Sequence, residues 1–343
     1  MKVRQIVFTK LNTAELLDVQ VEPKPNHVCV KTVISTISSG TERAHITGDL
    51  NINAYAPQQT AIFPRSAGYS CSGIVTRLGE GVEGLQVGDR VVVFLGSHMD
   101  YNNVPANKVV KIEDEQISFE EAAVSFIATF PLAAIRKTHL EVGESMLVMG
   151  QGLLGQLAVM LARAAGATPV IAADPVAERR AEALKNGANY ALDPFAPDFA
   201  QTVKKLTGDG AKTAIEVTGN GQALDTCLDC MARMGRVALL GCTRDKNFTI
   251  DYYRKVHFPG ISLIGAHTGA RPNHESSAGL FTHRDDIQAV LRLCAMGRIN
   301  IKRMTGVFYS PADCQEAFNG LIYDKNFPIV VQFDWTRLPE ATE

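Results

Sequence analysis

The sequence lacks a surplus of charge, a cysteine framework, internal repeats and any long unbroken apolar run, and each absence removes a class of function. Its 34 basic and 36 acidic residues leave a formal net charge of -2, so no basic face is offered to nucleic acid or to an anionic membrane. Seven cysteines (Cys29, Cys71, Cys227, Cys230, Cys242, Cys294 and Cys314) are an odd number scattered over 343 residues. That spacing excludes a disulfide scaffold and predicts reduced thiols. Cys227 and Cys230 form a CxxC, but no second pair stands at zinc-finger spacing, and GQALDTCLDCMARMG reads as a helix that buries them. The opening MKVRQIVFTKLNTAELLDVQ has neither the apolar core nor the cleavage site of a signal peptide, so a cytoplasmic protein is expected. The longest apolar stretch, residues 146 to 162, carries three Gly and two Gln and meets Arg163. It reads as a buried strand, turn and helix rather than a membrane span. Small molecules are the expected partners.

Apolar residues make up 46% of the chain, enough for two cores at a length where one core usually stops growing. As far as about Glu121 the texture is strand-like: VCVKTVIST, CSGIVTRLG and DRVVVFLG are β-branched runs bounded by Gly, Pro, Asn and Asp. The pattern then alternates. SMLVMG, PVIAAD, NYALD, TAIEVTG, RVALLG and ISLIGA are short apolar strands, most of them separated by helical stretches such as AERRAEALKNG and FAQTVKKLTG. Repeated units of this kind imply a parallel sheet covered on both faces, and six strands is the Rossmann count. The fold class expected is α/β, a doubly wound Rossmann sheet with a β-rich domain. The β-rich part takes residues 1–124 and the Rossmann part 125–265. A returning tail, 266–343, carries a helix near Arg284 to Met296, a strand at MTGVFY, a helix from Pro311 and a strand at PIVVQF.

Gly150-Gln151-Gly152-Leu153-Leu154-Gly155 supplies G-x-G-x-x-G directly after the strand MLVM and at the start of an amphipathic helix, the context the motif needs. Gly150 serves the tight turn, Gly152 the close approach of a pyrophosphate, and Gly155 helix packing. The pyrophosphate rests on the first helical turn, at Leu153 and Leu154, where free N–H groups and the helix dipole favour an anion. Asp174 ends the next strand at the spacing of the ribose contact. A carboxylate there favours NAD over NADP, while Arg179 and Arg180 nearby weaken that preference. Thr218, in the turn after TAIEV, is a further cofactor candidate.

The order of these parts resembles the medium-chain dehydrogenase/reductase superfamily over essentially the whole chain. GYSCSGIVTRLGEGVEGLQVGDRVVV is similar to its GroES-like segment, and GAHTGARPNHE to the loop after the sixth Rossmann strand. The resemblance implies a GroES-like catalytic domain, an active site in the cleft against the nucleotide domain and, with it, a homo-oligomer, dimer or tetramer. Zinc members carry Cys-Gly-Thr/Ser-Asp where this chain has Ser39-Gly40-Thr41-Glu42, and Gly-His-Glu where it has Gly68-Tyr69-Ser70. Their remaining ligand falls near Phe126, among apolar and hydroxyl residues. No nitrogen, sulfur or carboxylate donor stands at the ligand positions themselves, Ser39, Tyr69, Ser70 and the place near Phe126, so a chain without zinc is expected. The SGTE and GY pair resembles a zinc-free branch that includes bacteriochlorophyllide a dehydrogenase and sugar- or cyclitol-type oxidoreductases.

Without a metal, a side chain must move the proton that accompanies hydride transfer. Tyr69 is the first candidate, since it takes a ligand position and a phenol, with an ordinary pKa of about 10, suits donation to a developing alkoxide; the alternative is a packed wall residue. Glu42 either orients Tyr69, binds a substrate hydroxyl, or pairs with Arg43 or Arg65. Ser39 and Thr41 either hydrogen-bond a polyol or cap a turn. His45 is a base or a surface histidine. His267, Arg271 and His274 stand in the later loop, where Arg271 either clamps the pyrophosphate or an anionic substrate group, or joins a surface ion pair. The leading reading is an NAD-dependent oxidoreductase acting on an alcohol or ketone carbon of a hydroxylated small molecule. An NAD(P)H-dependent enoyl or quinone reductase, transient oxidation for epimerisation or elimination, and a non-catalytic nucleotide-binding protein are the competing readings.

Overall fold

A computed structural model describes residues 1–52, 60–243 and 247–339. Two paired strands, β1 (Lys2–Lys10) and β2 (Thr13–Gln20), precede β3 (His27–Thr36), helix α1 (Ser39–Ile46) and strands β4 (Arg65–Ser66), β5 (Ser70–Leu78), β6 (Arg90–Phe94), β7 (Tyr101–Pro105) and β8 (Val109–Lys111). Helix α2 (Phe119–Lys137) leads into an alternation of β9 (Met146–Met149), α3 (Leu153–Ala164), β10 (Val170–Ala173), α4 (Ala177–Lys185), β11 (Tyr190–Leu192) and α5 (Phe199–Thr207). It continues through β12 (Ala211–Glu216), α6 (Gly221–Asp229), β13 (Met231–Leu239) and β14 (Ser262–Gly265). The last elements are α7 (His283–Ala295), β15 (Val307–Tyr309), α8 (Cys314–Tyr323) and β16 (Val331–Asp334). Two compact units result: Met1–Ile127 with Ile287–Met296 and Ile301–Glu343, and Ala128–Asp286 with Gly297–Asn300.

In the first unit, a seven-stranded sheet runs β15-β16-β3-β5-β6-β8, with β7 also paired to β3, beside a small sheet of order β2-β1-β4. The β-branched run of β3 is almost wholly buried, as expected of a strand covered on both faces. One core gathers Phe8, Ile37, Ile46, Phe318, Phe333 and Trp335, with Phe8 and Phe318 meeting edge to face at 4.8 Å. Ile37 and Ile46 flank α1, so their burial docks this short helix directly after β3. The sequence suggested a turn at ISSGTE and one helical turn between Glu42 and His45.

The second unit holds a six-stranded parallel sheet of order β11-β10-β9-β12-β13-β14. Its central strands β9 and β10 are buried at every position, whereas the edge strands β11 and β14 are partly exposed. The chain moves outward from β9 to β11 and then returns to β12 on the other side of β9. The order therefore reverses between β9 and β12, where α/β sheets bind ligands beyond the strands' carboxyl ends. Helix α3 buries Leu153, Leu157 and Leu161 on this sheet, each worth about 1.5–3 kcal/mol, and Gly166 at φ +95° terminates it.

Three details depart from the sequence pattern. Helix α2 spans 19 residues through an internal Pro131, where the sequence showed only an apolar stretch. Helix α6 stops at Asp229 and β13 starts at Met231, because Met231 pairs with Ala211 of β12 before a shift in register, with Met234 at φ +60°. Residues 266–286 group with the second unit, past the boundary expected at 265, since buried ion pairs of Arg271 and Arg136 with Asp286 tie this segment to α2.

Candidate active site

The glycine turn is built as its three positions demand. Gly150 adopts φ +95°, and a Cβ there would lie 2.8 Å from Thr218 Cγ2. A Cβ on Gly155 would fall 1.9 Å from the Gly150 carbonyl oxygen, so the first turn of α3 packs on the strand end with no room for a side chain. Gly152 caps α3 at an ordinary φ of -74° and faces open space. Its neighbours Leu153 and Leu154 begin the helix, whose first N–H groups have no intrahelical acceptor. An open, uncapped helix start beside a glycine is a cradle that fits a dinucleotide pyrophosphate.

Asp174 sits just past β10, 4% exposed, where its Oδ2 accepts from Gln151 N at 2.7 Å and its Oδ1 from Val176 N at 2.8 Å. The carboxylate thus joins the glycine turn to the start of α4 and keeps further lone pairs for ribose hydroxyls. Arg180 donates to the Asp174 main-chain carbonyl at 2.7 Å, and Arg179 is half-buried in the first turn of α4. Glu216, which the sequence reading overlooked, ends β12 and accepts from Thr218 N, Thr218 Oγ1 and Gly219 N. Burial pushes its carboxyl above the ordinary range, against the pull of those three bonds. An acidic residue inside the apolar run TAIEV was the signal that marked it. Through Thr218 it backs the Gly150 turn.

The loop after β14 places its candidates differently. His267 is exposed, with Nδ1 accepting from Gly269 N at 3.1 Å, and His274 is exposed too. The Arg271 side chain is 2% exposed and donates to Asp286 Oδ2, the Thr129 carbonyl and the Thr268 carbonyl, each at 3.0 Å. Arg136 donates to the other Asp286 oxygen at 3.0 Å. The surface ion pair considered for Arg271 is therefore a buried one, two guanidinium groups on one carboxylate. Their excess positive charge acts on a neighbour: burial first, and Arg271 second, push the His283 imidazole down to about 3.

Cys227 and Cys230 are buried in the core of this unit, and burial pushes the Cys230 thiol up to about 12. Such thiols are poor nucleophiles and poor ligands.

In the first unit the hydroxyl-rich segment forms the N-terminal half of α1. Ser39 and Thr41 are half-buried there, while Glu42 is 1% exposed and points inward. Neither Arg43 nor Arg65 is its partner. Glu42 Oε1 accepts from Ser38 N at 2.8 Å, and Oε2 lies 3.0 Å from Nε2 of His98, a fully buried residue that the sequence offered no pattern to find. His45 instead meets Arg65, with Arg65 Nη2 3.2 Å from His45 Nε2. Arg43 donates to the Ile322 carbonyl at 2.9 Å. The Tyr69 hydroxyl donates to Ser38 Oγ, and the Phe126 ring stands edge-on to the phenol at 5.7 Å. Gly68, at φ +80°, is pressed so closely on His98 that a Cβ would lie 2.5 Å from the ring. Only glycine can precede Tyr69 in this turn.

Zinc takes nitrogen, sulfur or carboxylate donors. The Tyr69 hydroxyl meets Ser38 Oγ and its ring meets Phe126, and the Glu42 carboxylate is engaged by Ser38 N and His98 Nε2. Among the described residues no group of three or more His, Cys, Asp or Glu side chains is placed to hold a metal ion. This donor set does not fit zinc. Nor is any described helix long and apolar enough to cross a membrane.

Residues 24–114 match the alcohol dehydrogenase GroES-like domain, and residues 154–283 match the zinc-binding dehydrogenase family. The L-threonine 3-dehydrogenase of Pyrococcus horikoshii is 31% identical over 290 residues, 74% of this chain and 79% of its own. The D-guloside 3-dehydrogenase of Escherichia coli is 30% identical over 204 residues, 59% of this chain and 58% of its own. The crystal structure of 2R,3R-butanediol dehydrogenase from Bacillus subtilis, 23% identical, matches with a TM-score of 0.81 over 97% of this chain and 99% of its own. A GroES-like domain, a Rossmann sheet and this degree of identity over most of the chain make it a member of the medium-chain dehydrogenase/reductase superfamily of oxidoreductases.

Proposed function

We propose that the chain is an NAD(H)-dependent oxidoreductase that transfers hydride, without zinc, between nicotinamide and an alcohol or ketone carbon of a hydroxylated small molecule of the sugar, polyol or cyclitol class. The observation that carries this reading is the Tyr69 phenol bonded to Ser38 Oγ, among hydroxyl groups where zinc members of the family keep their ligands. The named relatives support the substrate class, since L-threonine, D-guloside and butanediol all carry hydroxyl groups.

When bound, the nicotinamide supplies the acceptor or donor of hydride. The chain's own residues do the rest. The first turn of α3 and Gly152 hold the pyrophosphate, and Asp174 accepts the ribose hydroxyls, which favours NAD over NADP. In reduction the Tyr69 phenol gives its proton to the carbonyl oxygen, and in oxidation the deprotonated phenolate takes the proton from the substrate hydroxyl. Ser39 and Thr41 hydrogen-bond neighbouring substrate hydroxyls. The Arg271 and Asp286 pair acts at one remove, holding the loop that carries His267.

The test is a screen of polyols and keto sugars with NAD(H) and NADP(H), read at the nicotinamide absorbance. The reading expects turnover linked to NAD(H). A protein that binds neither nucleotide, or one that reduces only activated double bonds with NADPH, would contradict it.

A further inference from the structure

Ser38 occupies the N-cap of α1, with φ -87° and ψ 90°, yet its hydroxyl makes no bond to the helix. A serine there ordinarily caps a free N–H of the first turn with its side chain. The helix start is secured otherwise. Glu42 Oε1 reaches back to Ser38 N at 2.8 Å, and Glu42 N donates to the Ser38 carbonyl at 2.9 Å. Glu42, one position beyond the N3 of a capping box, thus takes the part of that motif's acidic arm, and the serine arm is not made. The hydroxyl so released receives the hydrogen bond of the Tyr69 phenol.

A buried chain of hydrogen bonds fixes Glu42 in that role. Trp335 Nε1 lies 2.8 Å from Ser35 Oγ, Ser35 Oγ lies 2.8 Å from His98 Nδ1, and His98 Nε2 lies 3.0 Å from Glu42 Oε2. An indole only donates, so Ser35 accepts from Trp335, and its own hydrogen has His98 Nδ1 as its acceptor. His98 is then the Nε2–H tautomer, assigned here from the network, and donates to Glu42. Ser35 and His98 are fully buried and Glu42 is 1% exposed, so reversing the chain would strand a polar group away from water. The same imidazole also carries Gly68, the residue before Tyr69. One buried ring therefore sets both partners, Ser38 through Glu42 and Tyr69 through Gly68.

We propose that Ser38 is a positioning residue for Tyr69: its hydroxyl, withheld from helix capping, accepts the phenol O–H and fixes the position of the phenol oxygen. This rests on the reading of Tyr69 as the proton-transfer group. It also explains why a serine stands at a cap it does not make.

The experiment is a double-mutant cycle with Ser38→Ala and Tyr69→Phe, with Ser38→Thr as the conservative variant, assayed with NAD(H) and the polyol or keto sugar that the screen finds. Ser38→Ala is expected to lower kcat about 10- to 100-fold and to shift the pH profile of kcat, with NADH affinity and Tm close to wild type. Ser38→Thr should restore most of the turnover. In the double variant the loss should equal that of Tyr69→Phe alone, because Ser38 acts only through the phenol. Multiplying losses, or a Ser38→Ala kcat and pH profile like those of the wild type beside an impaired Tyr69→Phe, would overturn the role of Ser38. A lowered Tm in Ser38→Ala with no change in the pH profile would overturn it too, by making the serine merely structural. Full turnover by Tyr69→Phe would instead fail the reading of Tyr69, and this proposal with it.

Discussion

A Cβ placed on Gly155 would lie 1.9 Å from the carbonyl oxygen of Gly150, whereas one placed on Gly152 would meet nothing within 4 Å. Two glycines of one motif thus answer to different constraints, internal packing and an open approach. Gly155→Ala must displace backbone and is expected to cost about 1–3 kcal/mol of stability or more, seen as a lower Tm. Gly152→Ala should keep the wild-type Tm and weaken NADH binding about tenfold or more, roughly 1.4 kcal/mol, in a fluorescence titration. The reverse pattern, a stable Gly155→Ala and a wild-type affinity in Gly152→Ala, would remove the nucleotide from this turn.

Asp174 holds Gln151 N and Val176 N as well as the proposed ribose contact. Asp174→Ala should weaken NAD(H) by about 1.5–3 kcal/mol and weaken NADP(H) less, since a negative charge near the 2′ position is also lost. Equal losses for both cofactors would make the residue only a brace for the glycine turn.

How much of this was legible in the sequence depended on the distance over which each constraint acts. The glycine motif and Asp174 are local, because strand, turn and helix follow one another along the chain. Ser39, Thr41, Glu42 and Tyr69 were singled out as candidates through resemblance to short motifs. Ser38, one residue earlier, was not, because what distinguishes it is a cap bond it fails to make. His98 had no pattern in GSHMDY, and its partners Glu42 and Ser35 are 56 and 63 positions away in sequence. Helix α2 was missed because an apolar run with Pro131 inside it reads equally as strand or loop.

The Asp286 carboxylate is fully buried between Arg136 and Arg271. Asp286→Asn would leave two guanidinium groups without their counter-charge, one of them almost wholly buried, at an expected cost of about 3–5 kcal/mol. Thermal melts monitored by circular dichroism provide the check. A melting temperature within a degree of wild type would mean that water or a bound anion already neutralises the pair.

Tyr69→Phe keeps the ring against Phe126 and removes only the hydroxyl. Turnover should fall by about 10²–10⁴ while NADH affinity and Tm stay near wild type. A loss of less than tenfold would make Tyr69 a wall of the site. A collapse in Tm would make its bond to Ser38 structural.

The claim on which the account turns is that hydroxyl groups, not a metal, handle the substrate oxygen. Its most direct test is zinc content measured on the same active sample before and after chelator treatment, with turnover followed alongside. The account predicts full activity at well under one zinc per chain, unchanged by the chelator. One tightly held zinc per chain, with activity that leaves with the metal and returns on its addition, would contradict it.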